Sequence, residues 1–202
     1  MPAAVAETHV RLPADSNQAL GIARYAIGFL SDDPAVRGEP SPAVLERTNL
    51  FFTDAVLCGL SALALKTNAP TVLRNEALQY PVNEHTPLIG KAVRPGATVF
   101  GSATPVHAEK AIVANCSAVR EWDSNGTNFG YNPALGHTAG EFGHNDFYSV
   151  AIAAAQMTGR DGAYALRAMV LHDEIRGRLA EVFSLKTYKI DHVLHGAIAS
   201  AA

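Results

Sequence analysis

Cysteine is scarce: the 202 residues hold only Cys58 and Cys116, and no CxxC pair occurs. Both lie in apolar stretches, AVLCGLSALAL and AIVANCSAV, where a buried free thiol is the ordinary role of this residue. Two thiols cannot supply the ligand set that normally holds an iron–sulfur cluster, and without CxxC neither a zinc knuckle nor a thioredoxin-type redox pair is signalled. Charge is equally sparse. With 17% charged residues and a formal net charge of -3, the chain has no field with which to hold nucleic acid, while its 48% hydrophobic content separates it from disordered segments.

The start, MPAAVAETHVRLPADSN, lacks the basic opening and continuous apolar centre of a secretory leader, and it carries acids that a mitochondrial presequence avoids. The longest apolar run, AVLCGLSALAL, is too short to cross a bilayer and ends at Lys66. These absences predict a soluble, cytoplasmic protein that works without nucleic acid or membrane. Strands of alternating period, internal repeats and low-complexity tracts are lacking too.

What is present is helical periodicity. Leu20, Ala23, Ile27 and Leu30 recur at helical spacing within 17–30, and SDDPAVRGEP breaks the pattern. Ser41-Pro42 opens a second helix, serine as cap and proline in the first turn, whose apolar second half is expected to be buried all round. The segment 71–101, rich in Pro, Gly and Asn, reads as irregular, with VRPGATVFG a turn or weak strand. Thr104-Pro105 repeats the cap-plus-proline start, and Ile112, Cys116 and Val119 carry that helix toward Trp122. Further helices are expected over HNDFYSVAIAAAQM, capped near Asn145 or Asp146, over AYALRAMVLHDEIRGRL, and over DHVLHGAIASAA. The result is an all-α, mainly helical fold in one domain over 1–202, with 1–16 a flexible N-terminus. The chain stops inside its last helical stretch, which predicts truncation at Ala202.

The stretch 121–146, EWDSNGTNFGYNPALGHTAGEFGHND, gathers carboxylates and two histidines among glycines and asparagines. A helix ending near Trp122 would put Asp123 at its mouth and Thr127 in the turn beyond. A helix starting just after His144 would aim its unpaired N–H groups into the same space, a seat for a carboxylate. The same residues also suit an ordinary helix-to-helix loop, where Asp123 or Thr127 would only satisfy local backbone groups. His137, in a Gly-flanked segment, is expected at the surface. His192 and His195 stand three apart in DHVLH, a spacing that could serve a metal, but no third ligand stands at a diagnostic distance. One facing a pocket and one facing a neighbouring helix is the arrangement expected.

In order along the chain, PVHAEKAIVANCSAVREWDSNGT, EFGHND and KIDHVLHGAIASAA resemble the N-terminal helical domain of the MmgE/PrpD family of 2-methylcitrate dehydratases, cis-aconitate decarboxylases and iminodisuccinate epimerases. The family's Asp-Phe-Asn/Asp-Asp-Thr motif is matched by DSNGT at Asp123, Asn125 and Thr127, its Gly-His-Pro by Gly143-His144, and its Asp-His-Val-Leu by Asp191 to Leu194. Glu141-Phe142 resembles the Glu-Trp of the dehydratase branch, FFTDAVLCGLSALA a Leu-Leu-Asp helix, and GATVFG a Gly-Ala-x-Val-x-Gly turn. Departures are Gly126 for the motif's second Asp, Asn145 for the proline, and a longer loop between Thr127 and His144. The resemblance implies a homodimeric hydro-lyase of the 2-methylcitrate dehydratase type, acting on a di- or tricarboxylate by acid/base chemistry with no cofactor and no metal. It implies Asp123, Thr127 and His144 as catalytic residues and His192, Asn125 and Glu141 as substrate-binding ones. It also implies a lid domain that this chain lacks, and with it an alternative role as a non-catalytic or truncated dimerisation domain.

Overall fold

The computed structural model describes residues 13, 15–82 and 96–202, which form seven α-helices and one two-stranded sheet. The expected flexible N-terminus lies almost wholly outside the described residues. The described chain divides into two compact units. One holds residues up to Glu39 together with Thr127–His144 and Leu171–Ala202; the other holds Pro40–Gly126 and Asn145–Val170.

In the second unit, α2 (Pro42–Ala64) starts as its sequence dictates: the Ser41 hydroxyl accepts from the Val44 N–H at 3.3 Å, and Pro42 takes the first turn. Its second half is not buried all round. Ala55, Gly59 and Ala62 are buried, whereas Leu57, Leu60 and Leu65 stay exposed. Small side chains are what permit the close packing of α2 on α4 (Ala108–Arg120): a Cβ on Gly59 would lie 2.6 Å from the Phe100 ring and 3.6 Å from the Ala118 Cβ. A helix not expected in the Pro- and Asn-rich segment, α3 (Asn68–Ala77), also packs on α4. Pro70 falls in its first turn, where the ring is tolerated.

Thr104-Pro105 does not open a helix. Pro105–Val106 (β2) pairs antiparallel with Ala97–Thr98 (β1), and Val106 also bridges to Pro81, so extended pairing on both sides holds the chain straight until α4 begins at Ala108. The Asn115 amide of α4 donates to the Thr98 carbonyl and accepts from the Phe100 N–H, which fixes the strand to the helix. α4 therefore lies central to this unit, against α2, α3, β1 and α5 (Tyr148–Thr158). Its core is Ala77, Ala97, Val99, Val106, Ala111, Ala114 and Ala153. Cys58 and Cys116 are free and only partly buried, yet burial beside Asp146 pushes the Cys116 thiol up to about 12.

In the first unit, α1 (Gln18–Phe29), capped by the Asn17 side chain, packs Ala26 on Leu171 and Ile175 of α6 (Gly162–Val182) and on Ala199 of α7 (Val193–Ala201). No single helix among the described residues is long and apolar enough to cross a membrane.

A Cβ on Gly96 would lie 2.2 Å from the Val106 carbonyl oxygen, a backbone atom that cannot yield without breaking the β1–β2 pairing. Gly96→Ala is expected to lower the unfolding free energy by about 1–3 kcal/mol in urea titrations, whereas an unchanged midpoint would show that the pairing adapts.

Candidate functional site

In the second unit, α4 ends at Arg120, and the chain turns through Asp123 in a left-handed conformation (φ 49°). Asp123 stands at the helix mouth as expected, exposed and ion-paired to Arg120. Beyond it the polar side chains hold one another. Asn125, 6% exposed, donates both amide hydrogens, to the Asn145 Oδ1 at 2.7 Å and the Asp146 Oδ1 at 2.6 Å, leaving its own Oδ1 without a partner. Arg120 Nε lies 3.5 Å from Asp146 Oδ2. Asn145 donates to the Phe51 carbonyl at 2.8 Å and to Asp54 Oδ2 at 3.0 Å, and the same Asp54 oxygen accepts the Gly126 N–H at 2.8 Å.

These bonds explain why neither Asn145 nor Asp146 caps a helix. Both side chains are engaged elsewhere, His144–Phe147 forms a 3-10 turn, and α5 starts only at Tyr148 with no side-chain cap. The helix start expected just after His144 is therefore displaced by three residues, to Tyr148.

In the first unit, the loop 127–144 is drawn together as a narrow bridge: Phe129 and Glu141 exchange both backbone hydrogen bonds, at 3.0 and 2.8 Å. Arg176 of α6, fully buried, donates to the Phe142 carbonyl at 2.7 Å, and its guanidinium stands 5.2 Å from the Phe129 ring centroid. The Phe129 ring meets the His144 imidazole edge-on, with centroids 5.6 Å apart. Gly130 (φ +72°) lies against Ala180 of α6, where a Cβ would come within 2.7 Å of the alanine methyl.

His144 itself is 4% exposed, and its Nδ1 accepts the Thr127 backbone N–H at 3.2 Å. A backbone N–H can only donate, so Nδ1 is the acceptor, and the hydrogen-bond network assigns the proton of the neutral ring to Nε2. Thr127 thus fixes the tautomer of the histidine with which the motif reading paired it. Glu141 is 1% exposed, and neither carboxylate oxygen has a hydrogen-bond partner. His137 is not at the surface: it is 7% exposed, with Nδ1 2.9 Å from the Gly130 carbonyl and 3.0 Å from the Asn132 N–H, contacts that fold the glycine-rich segment back on itself.

His192 and His195 are both buried at the start of α7, with His192 Nδ1 3.3 Å from Asp191 Oδ1. Burial, then the charges of Arg176 and His192, push the His195 imidazole down to about 4. A guanidinium as electrostatic neighbour opposes a cation, and no group of three or more potential ligands stands ready for a metal ion among the described residues.

Three groups have contacts that the sequence reading did not assign. Asp54 stood there only within the stretch resembling a Leu-Leu-Asp helix, and Asn145 only as a helix cap and as the departure from the motif's proline. Arg176 did leave a trace, since it falls at helical spacing between two other buried residues, His172 and Ala180.

The structure is thus a helical one in which asparagine and aspartate side chains brace the turn after α4 and a buried histidine accepts a backbone N–H. Residues 22–202 match the MmgE/PrpD N-terminal domain, and the chain belongs to the MmgE/PrpD family, a relationship to the dehydratases. No solved structure matches the chain.

The low value at His195 carries a pH dependence. Between about pH 6.5 and 4 the unfolded chain takes up a proton there that the folded chain refuses, so this ring removes stability as pH falls through that window. His195→Gln is expected to recover on the order of 2 kcal/mol of the native chain's loss between those pH values, read from paired denaturant titrations. Parallel pH profiles for the two chains would remove this account.

Proposed function

We propose that the chain is a lyase of the 2-methylcitrate dehydratase type, removing water from a hydroxy tricarboxylate by acid/base chemistry without a cofactor. Such a reaction takes a C–H proton from beside a carboxylate and protonates the departing hydroxyl, so an acid and a base are both required. The observation that carries the reading is the Thr127 N–H to His144 Nδ1 hydrogen bond in a chain of this family. It leaves Nε2–H as the hydrogen that a neutral His144 can offer, which suits donation to a leaving oxygen rather than abstraction from carbon.

Asp123, an exposed carboxylate at the mouth of α4, is then the base. The Thr127 hydroxyl hydrogen-bonds the substrate, and His192 binds a substrate carboxylate. Glu141 and the Asn125 Oδ1, both unpartnered acceptors, suit a hydroxyl hydrogen rather than an anion. Decarboxylation and epimerisation are the variants of this chemistry within the family. The homodimer belongs to the same reading, with the exposed leucines of α2 as apolar surface available to it.

The test is the ultraviolet absorbance of unsaturated acid formed from 2-methylcitrate or citrate. The intact chain is expected to form product, and His144→Ala to lower kcat by roughly 10²–10⁴. A folded chain that forms no product from either acid would support the non-catalytic helical domain instead.

A further inference from the structure

Resting on the reading of His144 as the proton donor, we infer that Arg176 is a positioning residue for it: the buried guanidinium seats the Phe129 ring that forms one wall of the imidazole. All the residues involved lie in the first unit. Arg176 grips both limbs of the loop 127–144. On the outgoing limb its guanidinium stands 5.2 Å from the Phe129 ring centroid, and on the returning limb its Nη2 donates to the Phe142 carbonyl at 2.7 Å. Phe129 and Glu141 exchange backbone hydrogen bonds, so one side chain of α6 holds both sides of a closed bridge. His144 follows Phe142 closely, and Thr127, whose N–H bonds the His144 Nδ1, shortly precedes Phe129. The Phe129 ring meets the imidazole at 76° with centroids 5.6 Å apart, so a shift of that ring is a shift of the wall.

Helix α6 is shaped for this seat. Gly177, beside Arg176, leaves the ring room: a Cβ there would rest 3.6 Å from it, at ordinary contact. One turn beyond Arg176, Ala180 receives Gly130, the neighbour of Phe129 in sequence. A guanidinium is planar and weakly hydrated and carries its N–H donors in its plane, so it can lie against an aromatic ring while donating sideways. A lysine ammonium, a strongly hydrated point charge, cannot do both in the same way. Arg176 is 0% exposed, so both contacts are made in a medium that strengthens them relative to water. His144 has other contacts, the Thr127 N–H among them, and Phe129 adds a steric wall to these. Arg176 acts on the imidazole through that ring and the Phe142 carbonyl, which makes it a positioning and not a catalytic residue.

The test is proton NMR of the whole chain, with the carbon-bound ring hydrogens of His144 assigned by their loss in His144→Gln. In the native chain these signals are expected to be displaced by the Phe129 ring current, and the Arg176 guanidinium hydrogens to show Overhauser contacts to the Phe129 ring. Phe129→Leu, which keeps Arg176, is expected to abolish the displacement. Arg176→Lys keeps the charge without the planar fork and is expected to move the His144 signals partway toward their Phe129→Leu positions, while adding nothing in the double variant. In the dehydration assay Arg176→Lys is expected to lower kcat by roughly 10–100-fold with KM little changed. A folded Arg176→Lys chain with native His144 signals overturns the inference, as do additive displacements in the double variant. Should Arg176→Lys fail to fold, missing Arg176–Phe129 contacts in the native chain, or unmoved His144 signals in Phe129→Leu, overturn it equally. The spectra need no turnover, so absence of product strikes the dehydratase reading and leaves them standing, whereas product formation with unmoved His144 signals strikes the positioning role alone.

Discussion

The Asn145 side chain is the constraint on which the polar half of this structure turns. It is completely removed from solvent, and an amide so placed is costly unless its hydrogens and its oxygen are engaged. All are: the hydrogens go to Phe51 and Asp54, and the oxygen receives Asn125. Satisfying it draws the turn after α4 and the segment that leads into α5 onto the side of α2. The residue at this place resembles a departure from the family pattern, where proline follows the histidine. Proline could make none of these side-chain bonds, so the substitution exchanges backbone rigidity for a hydrogen-bonded brace.

Gly126 is the second departure and answers to the same arrangement. An aspartate there would have to hold a positive φ, which side chains other than glycine and, less readily, asparagine and aspartate avoid. With glycine the N–H reaches Asp54 without strain, and the acidic partner is supplied by α2 instead of by the motif itself. The two changes are thus linked through one carboxylate. Local rules and tertiary demands agree here once that third residue is included.

Much of the fold was legible because it rests on local signals. Asn17 and Ser41 cap α1 and α2 through side-chain bonds, and the apolar period of the chain around Ile112 and Val119 gave α4. What misled were residues whose local preference was overridden at a distance. Pro105 looked like a first-turn proline, but pairing of its neighbour Val106 with Ala97 kept it extended. Asn145 and Asp146 looked like caps, but their side chains are held by Asp54, Asn125 and Arg120. Asp123, Thr127 and His144 were visible through their motif spacing, whereas Arg176 and Asp54 act through contacts separated by more than thirty residues, which periodicity does not record.

The division of the chain into interleaved segments also bears on synthesis. Helix α1 is made before α2, α3 and α4, yet the side chains that bury Ala26 come from Leu171, Ile175 and Ala199. The segment between α1 and α6 must leave the ribosome before α1 finds these partners, while α2, α3 and α4 can associate as soon as they are made. The nascent α1 therefore waits, with its apolar face uncovered, until α6 and α7 follow. That interval gives a chaperone a longer opportunity to bind α1 than to bind the helices made just after it.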